Sequence, residues 1–271
     1  MAADHETAGP ARLVESLGRG TVRAVESFGY AASIFGETVK WILLGRRRGQ
    51  AVRSGPIVSE MMDVGIEAIP IVTLLTFTIG VMLSIQGLDL LRPFGAEQQV
   101  GIGVALGVTR EFAPLITGIL VAGRSGSALA ARIGFMTISE EVAALRVMGI
   151  NPVRFLVAPA LLAMLIMLPS LTVWADLVAL IGGGLYISAD LGMTMSAYVD
   201  QVLTTLEVDD VMHGIAKSAI FAVVITVIGV VEGSTVEGGA EGVGRATTSS
   251  VVKAISAIVL TDMFFVFAAT R

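Results

Sequence analysis

Long apolar runs with few or no charges leave this chain few ways to fold in water. Residues 68–85 contain no charged side chain, and the run at 100–123 is interrupted only by Arg110 and Glu111. A transmembrane helix needs about 20 mainly apolar residues, so runs of this length predict membrane-spanning helices. With three further runs, we predict five spans, at about residues 66–88, 100–123, 153–187, 211–231 and 251–270.

The composition supports an all-α integral membrane protein and excludes other classes. Charged residues make up 15% of the chain, against roughly 25% in a soluble domain. The mean hydropathy is +0.82. The sequence has no cysteine, which excludes disulfide scaffolds and thiolate metal sites. The net charge of −5 offers no broad basic surface for nucleic acid.

The third apolar run is longer than a bilayer requires. As one straight helix, residues 155–189 would measure about 52 Å, against a hydrocarbon core of about 30 Å. We therefore expect the run to tilt, to project from the bilayer or to break, and the glycines at 182–184 are the expected weak point.

The segment before the first span is amphipathic. Between Leu13 and Ile42, apolar positions recur about every 3.6 residues, and three arginines follow at 46–48. We predict a disordered stretch at residues 1–10, then an interfacial amphipathic helix and basic segment at 11–56. A soluble helix packed on a partner is the alternative, and glycines leave open that the helix is split.

Basic residues concentrate on one side of the predicted membrane. Eight lysines and arginines precede residue 54, and four lie at 124–154. In contrast, Arg92 alone lies between spans 1 and 2, and none lies between spans 3 and 4. The positive-inside rule therefore predicts a cytoplasmic N-terminus and a C-terminus outside.

The cytoplasmic stretch between spans 2 and 3 predicts a short helix over residues 139–149. A capping box fits residues 137–140, and Gly149 followed by Pro152 fits the helix end. A helix of two to three turns held under the membrane suits the transmission of force from a soluble partner. A helix that merely packs on the neighbouring spans would explain the same pattern.

Arg110 and Glu111 lie at membrane depth, where charges are costly and usually face a partner or a cavity. Adjacent helical residues point about 100° apart, so we expect them to meet Lys217, Asp176 or Asp262 on other spans. They form either a structural ion pair or a polar lining for a headgroup path.

Small residues follow at the end of span 2. Gly123 and Gly126 allow close approach between helices. Arg124 between them is placed to meet a carboxylate or a lipid phosphate, although simple positive-inside anchoring would also explain it.

Three stretches together resemble one known family. They are GVTREFAP at 107–114, AGRSGSALAA at 122–131 and EEVAALRVMGINPVRFLV at 140–157. These stretches are similar to the MlaE/YrbE permeases, the membrane subunits of MCE-type ABC lipid transporters, and the similarity runs from about residue 60 to the C-terminus. The resemblance implies a permease domain at 57–271. Two positions differ from the usual pattern: Ala160 stands where arginine is common, and Arg132 where an acidic residue is common.

The resemblance also implies partners and site residues. It implies a phospholipid transporter of the inner (cytoplasmic) membrane in which two permeases, here a homodimer, meet at a lipid pocket. Two cytoplasmic ABC ATPases would grip the loop helix, an MCE-domain protein would sit on the outer face, and some members recruit a small STAS protein. Arg110 and Glu111 would be the intramembrane pair. The coupling helix would use Glu140, Glu141, Ala144, Leu145, Met148 and Gly149.

The sequence contains no P-loop, since none of its three lysines stands in a G-x-x-x-x-G-K-[ST] motif. We therefore expect no enzymatic activity, no cofactor and no metal in this chain, with ATP and magnesium bound by a partner. We expect span 5 and one face of span 1 to form the lipid-facing walls, the latter with Leu74, Leu75, Ile79, Met82 and Leu83.

Two alternatives use other chemistry. An ATP-independent lipid or small-solute channel or secondary transporter would need no ATPase, although no internal repeat supports a secondary transporter. An intramembrane serine protease would need Ser125, within a short G-x-S-G pattern, to meet His213. We expect those two residues near opposite membrane surfaces, about 30 Å apart.

Overall fold

The computed structural model describes residues 10–45 and 52–269, with side chains at 21–22, 25–45 and 52–268. The predicted disorder before Pro10 and the basic residues at 46–48 lie outside the described residues. Within those residues the fold is helical without strands, and five helices are long and apolar enough to span a membrane. The all-α class and the five spans are therefore confirmed.

The N-terminal segment forms one uninterrupted helix, α1, over Pro10–Leu44. Its glycines do not split it. Ile34 and Thr38 of α1 are buried, and the Tyr30 hydroxyl donates to Ser234 Oγ at 3.1 Å. These contacts hold α1 against the rest of the fold.

The helical stretch that contains the first span begins earlier than the predicted span, at residue 54 and not at about 66. It consists of α2 over Ser54–Val64, a 3₁₀ turn over Ile66–Ala68 and α3 over Ile69–Leu91. The prediction missed α2 because its acidic residues mark the edge of the apolar run, whereas the helix continues beyond that edge. Pro70 falls in the first turn of α3, where a missing N–H costs little.

The helical stretch that contains the second span extends further than the predicted span, to Ile138 and not to 123. Helices α4 (Val100–Gly107), α5 (Ala113–Val121) and α6 (Ser127–Ile138) form one continuous rod. Two π-helical segments join them, the first over Val108–Phe112 and the second over Ala122–Gly126. The arginines after residue 123 end the apolar run without ending the helix.

The short helix α7 covers Glu141–Val147. A third π-helical segment over Val153–Val157 then leads into α8, Ala158–Leu191. Of the three outcomes expected for this long run, the break at the three glycines does not occur, because α8 runs through them. A Cβ on Gly182 would lie 2.7 Å from Phe77 O, and one on Gly183 2.7 Å from Ser84 Oγ. These glycines let α8 approach α3 closely.

Helices α9 (Met195–Thr205), α10 (Val208–Ser234) and α11 (Gly239–Ala269) complete the described chain. The helix that contains the last span thus begins at 239, well before the predicted span start at 251. Tyr198 anchors α9 by donating to Leu180 O at 3.2 Å. Burial raises the pKa of Tyr198 to about 12, so this hydroxyl remains a protonated donor even in alkaline solution.

Helix α8 lies at the centre of the bundle and packs on α2, α3, α5 and α10. In the most apolar windows of α3 and α11, only 28% and 11% of the residues are buried within the chain, against 50–56% for the other spans. The outer faces of α3 and α11 are therefore open to lipid or to a partner.

Candidate functional site

A cluster of five charged side chains lies where α10, α11 and the first π-helical segment meet, and it runs from the fully buried Lys217 to the exposed Arg110. Lys217 of α10 is fully buried, with 0% of its side chain exposed, and its ammonium lies 2.6 Å from Glu111 Oε2 and 3.0 Å from Asp262 Oδ1. Arg110 forms an ion pair with Asp210. We call these five residues the charge cluster; its formal charge is −1.

The first π-helical segment explains how Lys217 is held. A π-turn interrupts the i→i−4 ladder, and such turns are frequent at functional sites. Lys217 Nζ donates to Arg110 O at 3.1 Å, so the lysine binds both the backbone and the following carboxylate of this segment. Gly214 permits the close approach, since a Cβ there would lie 2.6 Å from Thr109 O.

Asp210 was not expected from the sequence as the partner of Arg110. It lies in the first turn of α10, and its Oδ2 accepts from Glu207 N at 3.0 Å in a capping box. A capping carboxylate is favoured by the helix dipole. A capping box read at residues 207–210 could have revealed the helix start, although not the contact with Arg110.

Of the three expected partners, Lys217 meets Glu111 directly, Asp262 reaches only Lys217, and Asp176 meets neither Arg110 nor Glu111 in the described residues. Asp176 is buried in α8, and its Oδ1 has no hydrogen-bond partner among the described residues. The sequence places all three acids and bases at membrane depth but does not say which helix faces point at one another.

The predicted coupling residues lie on α7 and its flanks, at one end of the bundle. All seven residues of α7 are described, and Leu145 alone among them is buried. Met148 is 65% and Val147 89% exposed. Glu141 and Ala144 are also exposed, as is Glu140 before the helix.

The end of α7 is as predicted, but its start is not. Gly149 has φ +73°, and the bonds Gly149 N→Arg146 O and Ile150 N→Leu145 O, at 3.0 and 2.9 Å, form a Schellman motif. The predicted capping box is wrong: Glu140 is the N-cap, has φ 60° and makes no side-chain cap. The Ser139 hydroxyl instead donates to Phe135 O at 2.9 Å, so α6 retains the residue that was expected to cap α7.

The loop after α7 contacts α1, which sequence reasoning missed. Asn151 Nδ2 donates to Glu37 Oε1 at 2.7 Å. The guanidinium of Arg154 lies over the Trp41 ring, 5.5 Å from its centroid. The N-terminal helix is thus attached to the connection between α7 and α8.

Arg124 was predicted to meet a carboxylate or a lipid phosphate, and in the structure it meets a carboxylate. It forms an ion pair with Glu67 and donates to Asp63 O at 2.7 Å. Gly126 packs closely, since a Cβ there would lie 2.8 Å from Ile225 Cγ2, whereas Gly123 has nothing within 4 Å of that position. Close packing at this turn therefore rests on Gly126.

The expected lipid-facing residues of α3 divide into two groups. Leu74, Leu75 and Met82 are exposed. Ile79 and Leu83 are partly buried, and Leu83 packs against the core.

Comparisons with known proteins agree with this architecture. Residues 57–268 match the family model described as Permease MlaE. A probable ABC transporter permease protein of Rickettsia bellii is 32% identical over 258 residues, which cover 93% of this chain and 98% of the relative.

The chain belongs to the MlaE permease family.

Two further relatives match at comparable identity. The intermembrane phospholipid transport system permease protein MlaE of Haemophilus influenzae is 34% identical over 202 residues, covering 73% of this chain and 76% of the relative. The chloroplastic protein TRIGALACTOSYLDIACYLGLYCEROL 1 of Arabidopsis thaliana is 37% identical over 192 residues, covering 70% and 55%. Family and fold together identify a permease embedded in a membrane.

The geometry gives no support to the serine protease alternative. His213 packs edge-on against Phe265, with ring centroids 5.8 Å apart. Ser125 Oγ has no hydrogen-bond partner among the residues that the structure describes. The nucleophile–base contact that such an enzyme needs is not formed.

Proposed function

We propose that this MlaE permease is the transmembrane subunit of an ABC lipid transporter. It moves phospholipid or a related lipid between the inner membrane and an MCE-domain protein on the outer face. The family match supports the permease role, and the name of the Haemophilus influenzae relative, an intermembrane phospholipid transport permease, supports phospholipid as the cargo.

The observation that carries the proposal is the exposure and the anchoring of α7. Apolar side chains such as Val147 and Met148 project into solvent at the end of the bundle. At the same time, the Schellman motif and the bond Ala144 N→Glu140 O, at 2.9 Å, fix both ends of the helix. A rigid exposed helix between two spans can dock in a partner's groove and move those spans as rigid units.

The motor belongs to another subunit in this proposal. The sequence has no P-loop, so ATP and magnesium are bound by a cytoplasmic ATPase dimer. Two ATPases call for two docking helices, and a homodimer of this chain supplies them. The open outer faces of α3 and α11 provide area both for the second copy and for lipid.

A charge reversal at the start of α7 tests the ATPase contact. In Glu140→Lys/Glu141→Lys, we expect the copurified ATP-hydrolysing subunit to fall at least about tenfold, since losing an interface hot spot costs about 2 kcal/mol or more. Membrane insertion should not change, because both residues are exposed. Copurification is quantified from the detergent-extracted complex.

Asp200→Lys is the matched control, because Asp200 is exposed on α9 at the opposite end of the bundle. It should leave the ATPase bound. Undiminished ATPase in the double variant would contradict docking at α7.

An ATP-independent channel is the competing function. Purified permease alone in liposomes should not move labelled lipid without its ATPase and ATP. Full-rate transfer by the permease alone would favour the channel.

A further inference from the structure

A second polar site lies apart from the charge cluster, between α2 and α6. A cavity of ≈ 290 Å³ there is lined by charged side chains of both signs. We call it the α2–α6 pocket. Its polar lining consists of Glu60, Asp63, Glu67, Arg124, Ser125 and Arg132.

The pocket is at the level of lipid headgroups. Glu67 is the last charged residue before the charge-free run at 68–85, and Arg124 is the first after the apolar run at 100–123. Both runs have the length that crosses the hydrocarbon core. Their charged ends therefore meet the membrane surface at the same height, on the side of α7.

The charges of the pocket are only partly balanced. Arg124 pairs with Glu67, and Arg132 pairs with Glu60. The carboxylate of Asp63 forms no ion pair or hydrogen bond with a described residue, and its side chain is exposed. Three carboxylates and two guanidinium groups leave one uncompensated negative charge, suited to a cationic group.

Ser125 points independently to a ligand. This residue is 8% exposed and lines the pocket, and its Oγ has no hydrogen-bond partner in the described part of the chain. Buried hydroxyls are normally bonded, so an acceptor from outside the chain fits here. Arg132 can share the same acceptor, since a guanidinium has five N–H donors and pairs with one carboxylate only in the described structure.

The remaining lining is apolar. Val64, Leu129 and Met164 are buried beneath the charged side chains. Outside the pocket, Met62 and Ile66 are exposed on the same stretch of span 1. The pocket is charged at its lining and apolar beneath and beside it. A ligand with a polar head and an apolar body therefore fits it better than a free ion does.

We propose that the α2–α6 pocket binds the headgroup of an aminophospholipid from the leaflet on the α7 side. The primary ammonium is bound by Asp63, and the phosphodiester by Ser125 and Arg132. The pocket is then the entry site for cargo, an assignment that rests on the proposed lipid-transport function.

Lipid retention by the purified full chain tests this assignment. The detergent-solubilised protein is mixed with equal amounts of phosphatidylethanolamine, phosphatidylcholine and phosphatidylglycerol, and bound lipid is counted by native mass spectrometry. We expect phosphatidylethanolamine to be retained about three- to fivefold over the other two, the range expected for one partly exposed ion pair. Equal retention of the three lipids would overturn the proposal.

Two variants locate the preference within the pocket. Asp63→Asn should abolish the preference for phosphatidylethanolamine over phosphatidylcholine. Ser125→Ala should lower the retention of both phosphatidylethanolamine and phosphatidylcholine. Asp200→Asn is the matched control, an exposed aspartate at the other end of the bundle, and should retain the preference. An unchanged preference in Asp63→Asn would contradict the role of the pocket.

Soluble glycerophosphoethanolamine distinguishes a membrane lipid from a free headgroup. The lipid should remain bound at equal concentration of this compound, because the compound lacks acyl chains. Displacement would assign the pocket to a soluble ligand and overturn the lipid assignment. None of these measurements uses the ATPase, so failure here is separate from failure at α7.

Discussion

Lys217 holds its ammonium about 14 Å along α10 from the helix start, with carboxylates of two other elements within 3.0 Å. Charged groups taken out of water repay their desolvation only through such partners. Removing the lysine would leave Glu111 and Asp262 close together without a cation. The stability of the charge cluster therefore depends on this one residue more than on either acid.

We expect Lys217→Met to destabilise the protein by about 3 kcal/mol or more, the cost of breaking a buried ion pair from one side. Thermal unfolding in detergent measures the loss. Lys217→Met/Glu111→Gln should recover part of it, because it removes one uncompensated charge. Arg245→Met is the control: Arg245 pairs with Glu241 at 3.7 Å and both side chains are mostly exposed, so its loss should cost less than about 1 kcal/mol. Equal losses in the two single variants would contradict this account.

At the scale of elements, the sequence predicted the apolar helices well and their irregularities poorly. Gly149 and Pro152 gave the end of α7 correctly because a positive φ demands glycine. The start of α7 was wrong because Glu140 itself adopts a positive φ, which few side chains do and which no local pattern indicates. The three π-helical segments carry Arg110, Arg124 and Arg154. Each depends on contacts with other helices, so a single helix period could not reveal them.

The close packing of α3 on α8 depends on glycines, and the sequence of either helix alone could not predict it. A Cβ on Gly80 would lie 2.0 Å from Ala179 O, which is backbone and cannot move aside easily. We expect Gly80→Ala to destabilise by about 1–3 kcal/mol or more through overpacking, measured as a lower midpoint of thermal unfolding. Gly103→Ala is the control, with nothing within 4 Å of its Cβ, and should be neutral or gain roughly 0.5–1 kcal/mol. A loss in both variants would indicate a general intolerance of alanine, not close packing.

For the whole molecule, the sequence supplied the number of spans and the candidate partners of the buried charges. It did not supply which helices are neighbours. Asp176, Asp262 and Lys217 all occur at membrane depth, but α8 turns Asp176 away from the cluster while α11 brings Asp262 to it. Such pairings depend on the rotation of each helix about its own axis, which is fixed by the packing of the entire bundle.

The distribution of basic residues predicts how the whole molecule is oriented in the membrane. Because the sequence has no cysteine, single introduced cysteines can test this orientation directly. The α7 end carries the arginines of 124–154, whereas the connection between α8 and α10 has acids and no basic residue, so α7 should face the cytoplasm. In intact cells, a membrane-impermeant maleimide should label Val208→Cys and leave Val147→Cys unlabelled until the membrane is opened. Both side chains are well exposed in the single chain, and expressing the permease without its ATPase keeps the docking partner from shielding residue 147. The reverse pattern would invert the orientation and place the ATPase-docking helix on the side without ATP.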